Sequence, residues 1–398
     1  MATKNVLLVG FGAIGAIYSL ILKRSGRATV TVVARSNFDA ISEHGIHIQS
    51  QKYGEIKGWR PDRLFPSVSA AADRSYSHVV LATKAIPELQ RTPDLLSPLL
   101  SAAYSDSYPQ PTYVLMQNGL GVEKDLYRAL KAVKPGEEPK IISTAIWIGT
   151  RLIGKDVIEH NDFDRITMGI YRPTTTNISN TPNEEAVLSE FAGLLKQGGS
   201  EVTVVPEIQR HKYAKNFWNC VHGTTAAITR LPLPAIFRPP QLDPKKGPIQ
   251  NARPDDTDDS ESLKARTDEA PHAQTADIPY RTPIIREYTI PFMHDAFTEL
   301  YNLGTVLFPQ DGPTPGLDPD IIQRSLKNPA MIHARTDSRH RPSMLVDVEM
   351  NRPMELDVVV GEVVRLGREN GVQMPRIETL YALLLILQEQ LLHPGSGM

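Results

Sequence analysis

Asn5-Val6-Leu7-Leu8-Val9-Gly10-Phe11-Gly12-Ala13-Ile14-Gly15 is the stretch on which the fold turns. Asn5–Val9 is a short apolar run that reads as a buried strand, and Gly10 follows it at once. Residues 13–24 carry apolar side chains at helical spacing and end in Lys23 and Arg24, cations that suit a helix C-terminus. Gly26 stops that helix. A G-x-G-x-x-G between a strand and a helix has a chemical use. Gly10 makes the tight turn, Gly12 lets backbone approach a pyrophosphate, and Gly15 lets helix and strand pack closely. The helix N-terminus then offers N–H groups and a positive dipole end to the phosphates. Gly10, Phe11, Gly12, Ala13, Ile14 and Gly15 are therefore candidate dinucleotide-binding residues.

Further along, Thr29–Ala34, Val79–Ala82 and Thr112–Met116 read as short buried strands separated by helical segments. That alternation predicts a parallel sheet. From about 141 to 170 the pattern changes to alternating strands, among them Ile141–Gly149 and Val157–Asn161. The second strand ends in Ala34-Arg35-Ser36, with no acidic residue before Asp39. An acidic residue there would hold the ribose 2′-OH of NAD, whereas Arg35 and the Ser36 hydroxyl suit the 2′-phosphate of NADP. Lys84 and Asn118 follow two other strands and so fall at the edge where such sheets bind ligands. Each also has a plain reading, Lys84 as a solvated loop lysine and Asn118-Gly119 as a turn pair.

The remainder reads as helical: Asn183–Gln197, a long segment Glu207–Arg230, then Ile284–Leu307, Pro319–Lys327, Glu355–Asn370 and Ile377–Leu392. Within Glu207–Arg230, Lys215 and Asn219 stand four apart and share a face, which Gly223 continues. A lysine among Phe217, Trp218, Cys220 and Val221 either snorkels to solvent or has its charged form disfavoured. Ser343 and Asp347 are also one turn apart, and Glu355 follows. Residues 239–283 hold eight of the chain's 32 prolines and only one aromatic, Tyr280. Such composition cannot offset its ordering entropy, so the stretch reads as a disordered insertion.

Composition excludes several classes. Lys+Arg total 43 against Asp+Glu 45, a formal net charge of −2, with no compact basic run for nucleic acid. The single cysteine, Cys220, excludes an internal disulfide and a thiolate-rich zinc site, and no metal site is expected. Apolar runs fall far short of the ~20 residues of a membrane helix, and no signal peptide is visible. The expectation is a soluble cytoplasmic protein without nucleic-acid or membrane partners.

Taken in order, Gly10–Gly15, Lys84, Met116-Gln117-Asn118-Gly119, Lys215-x-x-x-Asn219-Cys220, and Pro342-Ser343-Met344-Leu345-x-Asp347 with Glu355 resemble the ketopantoate reductase family. So does the tail from Gly361 to Gly371. The resemblance spans about residues 4–235 and 284–390. It implies an α/β, Rossmann-like NADP-binding domain (1–205) and an all-α substrate and catalytic domain (206–395), interrupted at 239–283. It implies reduction of a 2-oxo acid with NADP(H) as cofactor, 2-dehydropantoate to pantoate in pantothenate biosynthesis. Carried over by position, Lys215 matches the general acid and Glu355 the partner of a substrate hydroxyl. Asn118, Asn219 and Ser343 match substrate-binding positions. Asn118 also touches the nicotinamide, and Lys84 matches a cofactor-pocket lysine. A homodimer is compatible with the resemblance. One position departs: Gly223 stands where the family usually has a second substrate-binding asparagine, with His222 and Thr224 as neighbouring polar residues. Two other readings stay open, reduction of a different ketone and a non-catalytic NADP-binding sensor.

Overall fold

The computed structural model describes residues 3–173, 179–242, 277–312 and 314–394. Most of 239–283, expected to be a disordered insertion, lies outside the described residues. Two compact units divide the chain, Met1–Tyr213 and Ala214–Met398.

The first unit runs β1 (Lys4–Val9), α1 (Ala13–Arg24), β2 (Ala28–Val33), α2 (Phe38–His44), β3 (Ile46–Ser50), β4 (Gly54–Trp59), β5 (Arg63–Phe65), α3 (Val68–Ala71) and β6 (His78–Leu81). Three short helices, α4 (Thr92–Leu95), α5 (Ser97–Leu100) and α6 (Ala102–Ser107), lead to β7 (Thr112–Leu115). Then come α7 (Lys124–Val133), β8 (Ile141–Leu152), β9 (Val157–Ile170), α8 (Pro182–Gln197) and β10 (Glu201–Val204). One sheet of ten strands results, in the order β4-β3-β9-β8-β7-β6-β1-β2-β5, with β10 paired to β9. From β5 to the start of β8 every pairing is parallel, as expected for a Rossmann-like domain. The β8–β9 hairpin reverses the direction, and β3 and β10 follow β9.

Successive side chains of a strand point to opposite faces. Val6 and Leu8 join the core cluster that includes Ile17, Ile21, Phe191 and Leu195 from α1 and α8. Leu7 and Val9 are equally buried but stand outside that cluster, on the other face. A sheet covered on both faces needs continuous apolar strands, which is why β1 shows no polar alternation. Helix α8 starts in a capping box, with Thr181 and Glu184 satisfying each other's backbone N–H groups.

Helix α9 (Gln209–Trp218) continues through a π turn (Asn219–Gly223) into α10 (Thr224–Thr229), so the expected long helix is present with a wider turn inside it. The second unit adds α11 (Pro234–Phe237), a π turn at Ile285–Thr289, α12 (Ile290–Leu307), α13 (Ile321–Ala334) and α14 (Ser343–Glu349). A third π turn at Asp357–Gly361 opens α15 (Glu362–Glu369), and α16 (Pro375–Leu392) closes the unit. Among the described residues it is all-helical apart from one isolated bridge between Asp311 and Thr314. Helix α13 runs beyond the expected end at Lys327 and through Pro329. A proline inside a helix leaves the carbonyl four residues earlier without its N–H. Here that carbonyl is Ser325's, and it accepts from His222 Nε2 at 2.8 Å. No helix among the described residues is long and apolar enough to cross a membrane.

Candidate active site

Register gathers the first half of the site. Val9 pairs with Val33 on one side and Leu81 on the other, and Leu81 pairs with Leu115. The segments that follow these four residues therefore meet along one carboxyl edge: Gly10–Gly15, Arg35-Ser36, Lys84 and Gln117-Asn118. Chain order leaves β1 in both directions, toward β2 and toward β6, so the edge is a topological switch point where α/β sheets bind ligands.

The glycines of the turn are demanded by space. Gly10 has φ +99°, and a Cβ there would sit 2.7 Å from the Thr83 backbone nitrogen. A Cβ on Gly15 would collide with the Gly10 carbonyl oxygen, and one on Gly12 would meet nothing within 4 Å. The turn thus has a closed side at Gly10 and Gly15 and an open side at Gly12. That is the shape backbone needs to approach a pyrophosphate, so these residues fit a dinucleotide.

Arg35 and Ser36 are exposed. The Arg35 guanidinium donates to Gln90 Oε1 at 3.1 Å and has no carboxylate in ion-pair range among the described residues. Its charge is thus held by a neutral partner. Lys84 is exposed and Asn118 half-buried, and each makes a polar interaction. Gln117 Nε2 donates to Thr83 Oγ1 at 3.2 Å, bracing the ends of β6 and β7 against each other.

In the second unit Lys215 and Asn219 are half-buried, and Lys215 is not without a partner. An unbroken α-helix drifts about 80° over eight residues. The wider π turn, closed i→i+5, reduces that drift and keeps Gly223 nearer the line of Lys215 and Asn219. A Cβ on Gly223 would lie 3.7 Å from Met344 Sδ, on the helix that Ser343 begins. Ser343 is exposed, whereas Glu355 is only 7% exposed. Glu355 stands two residues before the π turn at Asp357–Gly361, and Asn216 Nδ2 donates to Val359 O of that turn at 2.8 Å. The helix of Lys215 and Asn219, the helix of Ser343 and the turn after Glu355 are therefore neighbours within this unit.

The two polar neighbours of Gly223 are turned away from this line. Thr224 Oγ1 donates to Cys220 O at 2.6 Å, and His222 is fully buried on Ser325. Burial pushes the His222 pKa down to about 4, so the ring is neutral, and pushes the Cys220 thiol up.

Three features had no sequence signal. Glu123 and Lys212 form a buried ion pair at 2.5 Å, and Ser143 Oγ donates to the same Glu123 oxygen. The partners are 89 residues apart, and each looks like a solvated charge in sequence. Asn37 is buried and donates to Phe11 O inside the glycine turn. The π turns fall inside segments whose apolar spacing reads as ordinary helix.

Comparison with known proteins matches residues 6–173 to the family described as ketopantoate reductase PanE/ApbA and residues 280–388 to its C-terminal domain. The uncharacterized protein YDL144C of Saccharomyces cerevisiae is 24% identical over 402 residues, covering 98% of this chain and 94% of its own. Among solved structures, 2-dehydropantoate 2-reductase from Geobacter metallireducens superposes with a TM-score of 0.68 at 20% identity, covering 96% of this chain and 99% of that one. A ternary structure of D-mandelate dehydrogenase with NADH and anilino(oxo)acetate gives 0.65 at 15% identity, with 97% and 99% covered.

Proposed function

The chain belongs to the ketopantoate reductase family, and from that membership we propose that it reduces a 2-oxo acid with NADPH, 2-dehydropantoate to pantoate being the first reaction to test. The observation that carries the cofactor half is the glycine turn, closed at Gly10 and Gly15 and open at Gly12, beside an arginine with no carboxylate partner among the described residues. A reduced nicotinamide, when bound, supplies the hydride.

The chain's own groups do the rest. As hydride reaches the carbonyl carbon, negative charge builds on the carbonyl oxygen. Lys215 Nζ stabilises that charge and gives the oxygen its proton, leaving a neutral amine that solvent reprotonates. Glu355 accepts a hydrogen bond from a substrate hydroxyl. Asn118, Asn219 and Ser343 would orient the acid, and Asn118 would also contact the nicotinamide. Lys84 would hold the cofactor, and Arg35 with Ser36 would take the 2′-phosphate.

One observation favours a different 2-oxo acid. Gly223 offers no side-chain donor, Met344 Sδ lies 3.7 Å from where its Cβ would be, and His222 and Thr224 are committed to backbone carbonyls. A polar substrate group there would lack one hydrogen-bond partner, which binding sites penalise heavily. The solved D-mandelate dehydrogenase shares the fold, and its complex holds anilino(oxo)acetate, an acid with an aromatic substituent. The deciding experiment follows NADPH oxidation by the purified protein on 2-dehydropantoate and on 2-oxo acids with branched or aromatic side chains. Higher kcat/KM on 2-dehydropantoate supports the first reading, and higher kcat/KM on an apolar acid supports the second. Turnover on none overturns both.

A further inference from the structure

We propose that Asn37 is a positioning residue for the cofactor, holding the peptide plane that presents the Gly12 N–H to the pyrophosphate. The inference rests on the dinucleotide reading above. Asn37 is 7% exposed and occupies the N-cap position of α2, yet its side chain makes no cap bond there. Its Nδ2 instead donates to Phe11 O at 2.8 Å. A trans peptide is planar, and its N–H points opposite its C=O. Fixing the Phe11 carbonyl toward Asn37 therefore fixes the Gly12 N–H in the opposite sense. That N–H has no protein acceptor among the described residues, and the space beside Gly12 is open.

The surroundings keep this arrangement rigid. Phe11 is 3% exposed and its ring lies 6.2 Å from that of Trp59. At the far end of α2, the Arg60 guanidinium donates to the carbonyls of Ile41, Ser42 and Glu43, satisfying groups that the helix end leaves over. The short helix is thus held at both ends, and Asn37 works from a fixed base.

The test measures NADPH and NADH dissociation constants, kcat and the thermal midpoint for the parent, Asn37→Ser, Asn37→Asp and Arg35→Ala. Serine and aspartate are good N-caps, so α2 is retained, but neither can donate to Phe11 O as asparagine does. The expected result for Asn37→Ser is a loss of about tenfold in affinity, the scale of a misaimed hydrogen bond to a charged group. It should be the same factor for both nucleotides, because both carry the pyrophosphate, with kcat at saturation within about twofold. Asn37→Asp, which sets an anion against Phe11 O, should lose more. Arg35→Ala should weaken NADPH alone. Unchanged affinity in a folded Asn37→Ser or Asn37→Asp overturns the role, as does a loss confined to NADPH. A parent that binds neither nucleotide overturns the cofactor reading itself.

Discussion

The glycine turn after β1 and the helix that carries Lys215 are built in opposite ways. The turn is defined by what is missing: three positions without side chains, two because nothing else fits and one that leaves room. The helix is defined by what is buried: Lys212 on Glu123, Asn216 on Val359, His222 on Ser325. Absence of a side chain is a local property that each residue declares for itself. A buried partnership joins residues 89, 143 and 103 positions apart, and neither member declares it alone. Binding surface is made from the first kind of feature and a placed functional group from the second, so the two regions should fail differently under substitution.

The largest failure is expected in the helix. Lys215→Ala should lower kcat about 10²- to 10⁴-fold, the range of general acid catalysis, and leave NADPH affinity unchanged. Steady-state kinetics on the best acceptor decides it. Near-parental kcat would strip Lys215 of its role and leave the helix face as packing. Next comes Lys212→Met, which strands a carboxylate buried to 0% exposure. Breaking a buried pair from one side costs about 3–5 kcal/mol, so urea unfolding should show a loss of that size. A loss below about 1 kcal/mol would mean the pair is solvated in solution.

Acid should find the helix as well. An ordinary histidine titrates near 6.5, and burial holds His222 at about 4. The unfolded chain therefore binds a proton that the fold refuses. The stability His222 supports is complete above about pH 6.5 and is lost as pH falls toward 4, by up to about 3 kcal/mol. His222→Gln should flatten that part of the urea midpoint against pH. A slope equal to the parent's would show that other groups carry it.

The smallest effects separate the two sides of the glycine turn. Gly15→Ala forces a collision with Gly10 O and should cost about 1–3 kcal/mol of stability. Gly12→Ala meets nothing in the free protein and should stay within about 1 kcal/mol of the parent. The same methyl group intrudes on a pyrophosphate, so NADPH binding should fall in Gly12→Ala despite an intact fold. Calorimetry with and without nucleotide reads both. Equal destabilisation by the two substitutions would erase the distinction between closed and open sides.

The same contrast explains what was legible. The parallel half of the sheet was, because β1, β2, β6 and β7 are continuous apolar runs ended by glycine or polar turns. Helix α1 was legible to the residue, its apolar face and basic end both being local signals. The β3–β4 hairpin was not, since Gly54–Trp59 alternates weakly and lies at the sheet's edge. The π turns escaped because apolar spacing cannot register one wider turn. The end expected at Lys327 fell short: α13 runs on through Pro329, and a donor from another helix satisfies the carbonyl that the proline strands. Around the site, residue types and order pointed to Lys215, Asn118 and Glu355, while Asn37 and the Glu123–Lys212 pair depend on three-dimensional neighbours.

The bond from His222 to the carbonyl that Pro329 strands has an evolutionary corollary. Replacing His222 first leaves a part-buried carbonyl without a donor, a cost of about 1 kcal/mol. Replacing Pro329 by alanine first restores a backbone N–H for Ser325, after which a change at His222 no longer strands that carbonyl. The two positions are therefore epistatic, with the double variant more stable than the sum of the single effects implies. A lineage leaving this pair does so at lower cost through position 329 before position 222, so the order of substitutions is constrained.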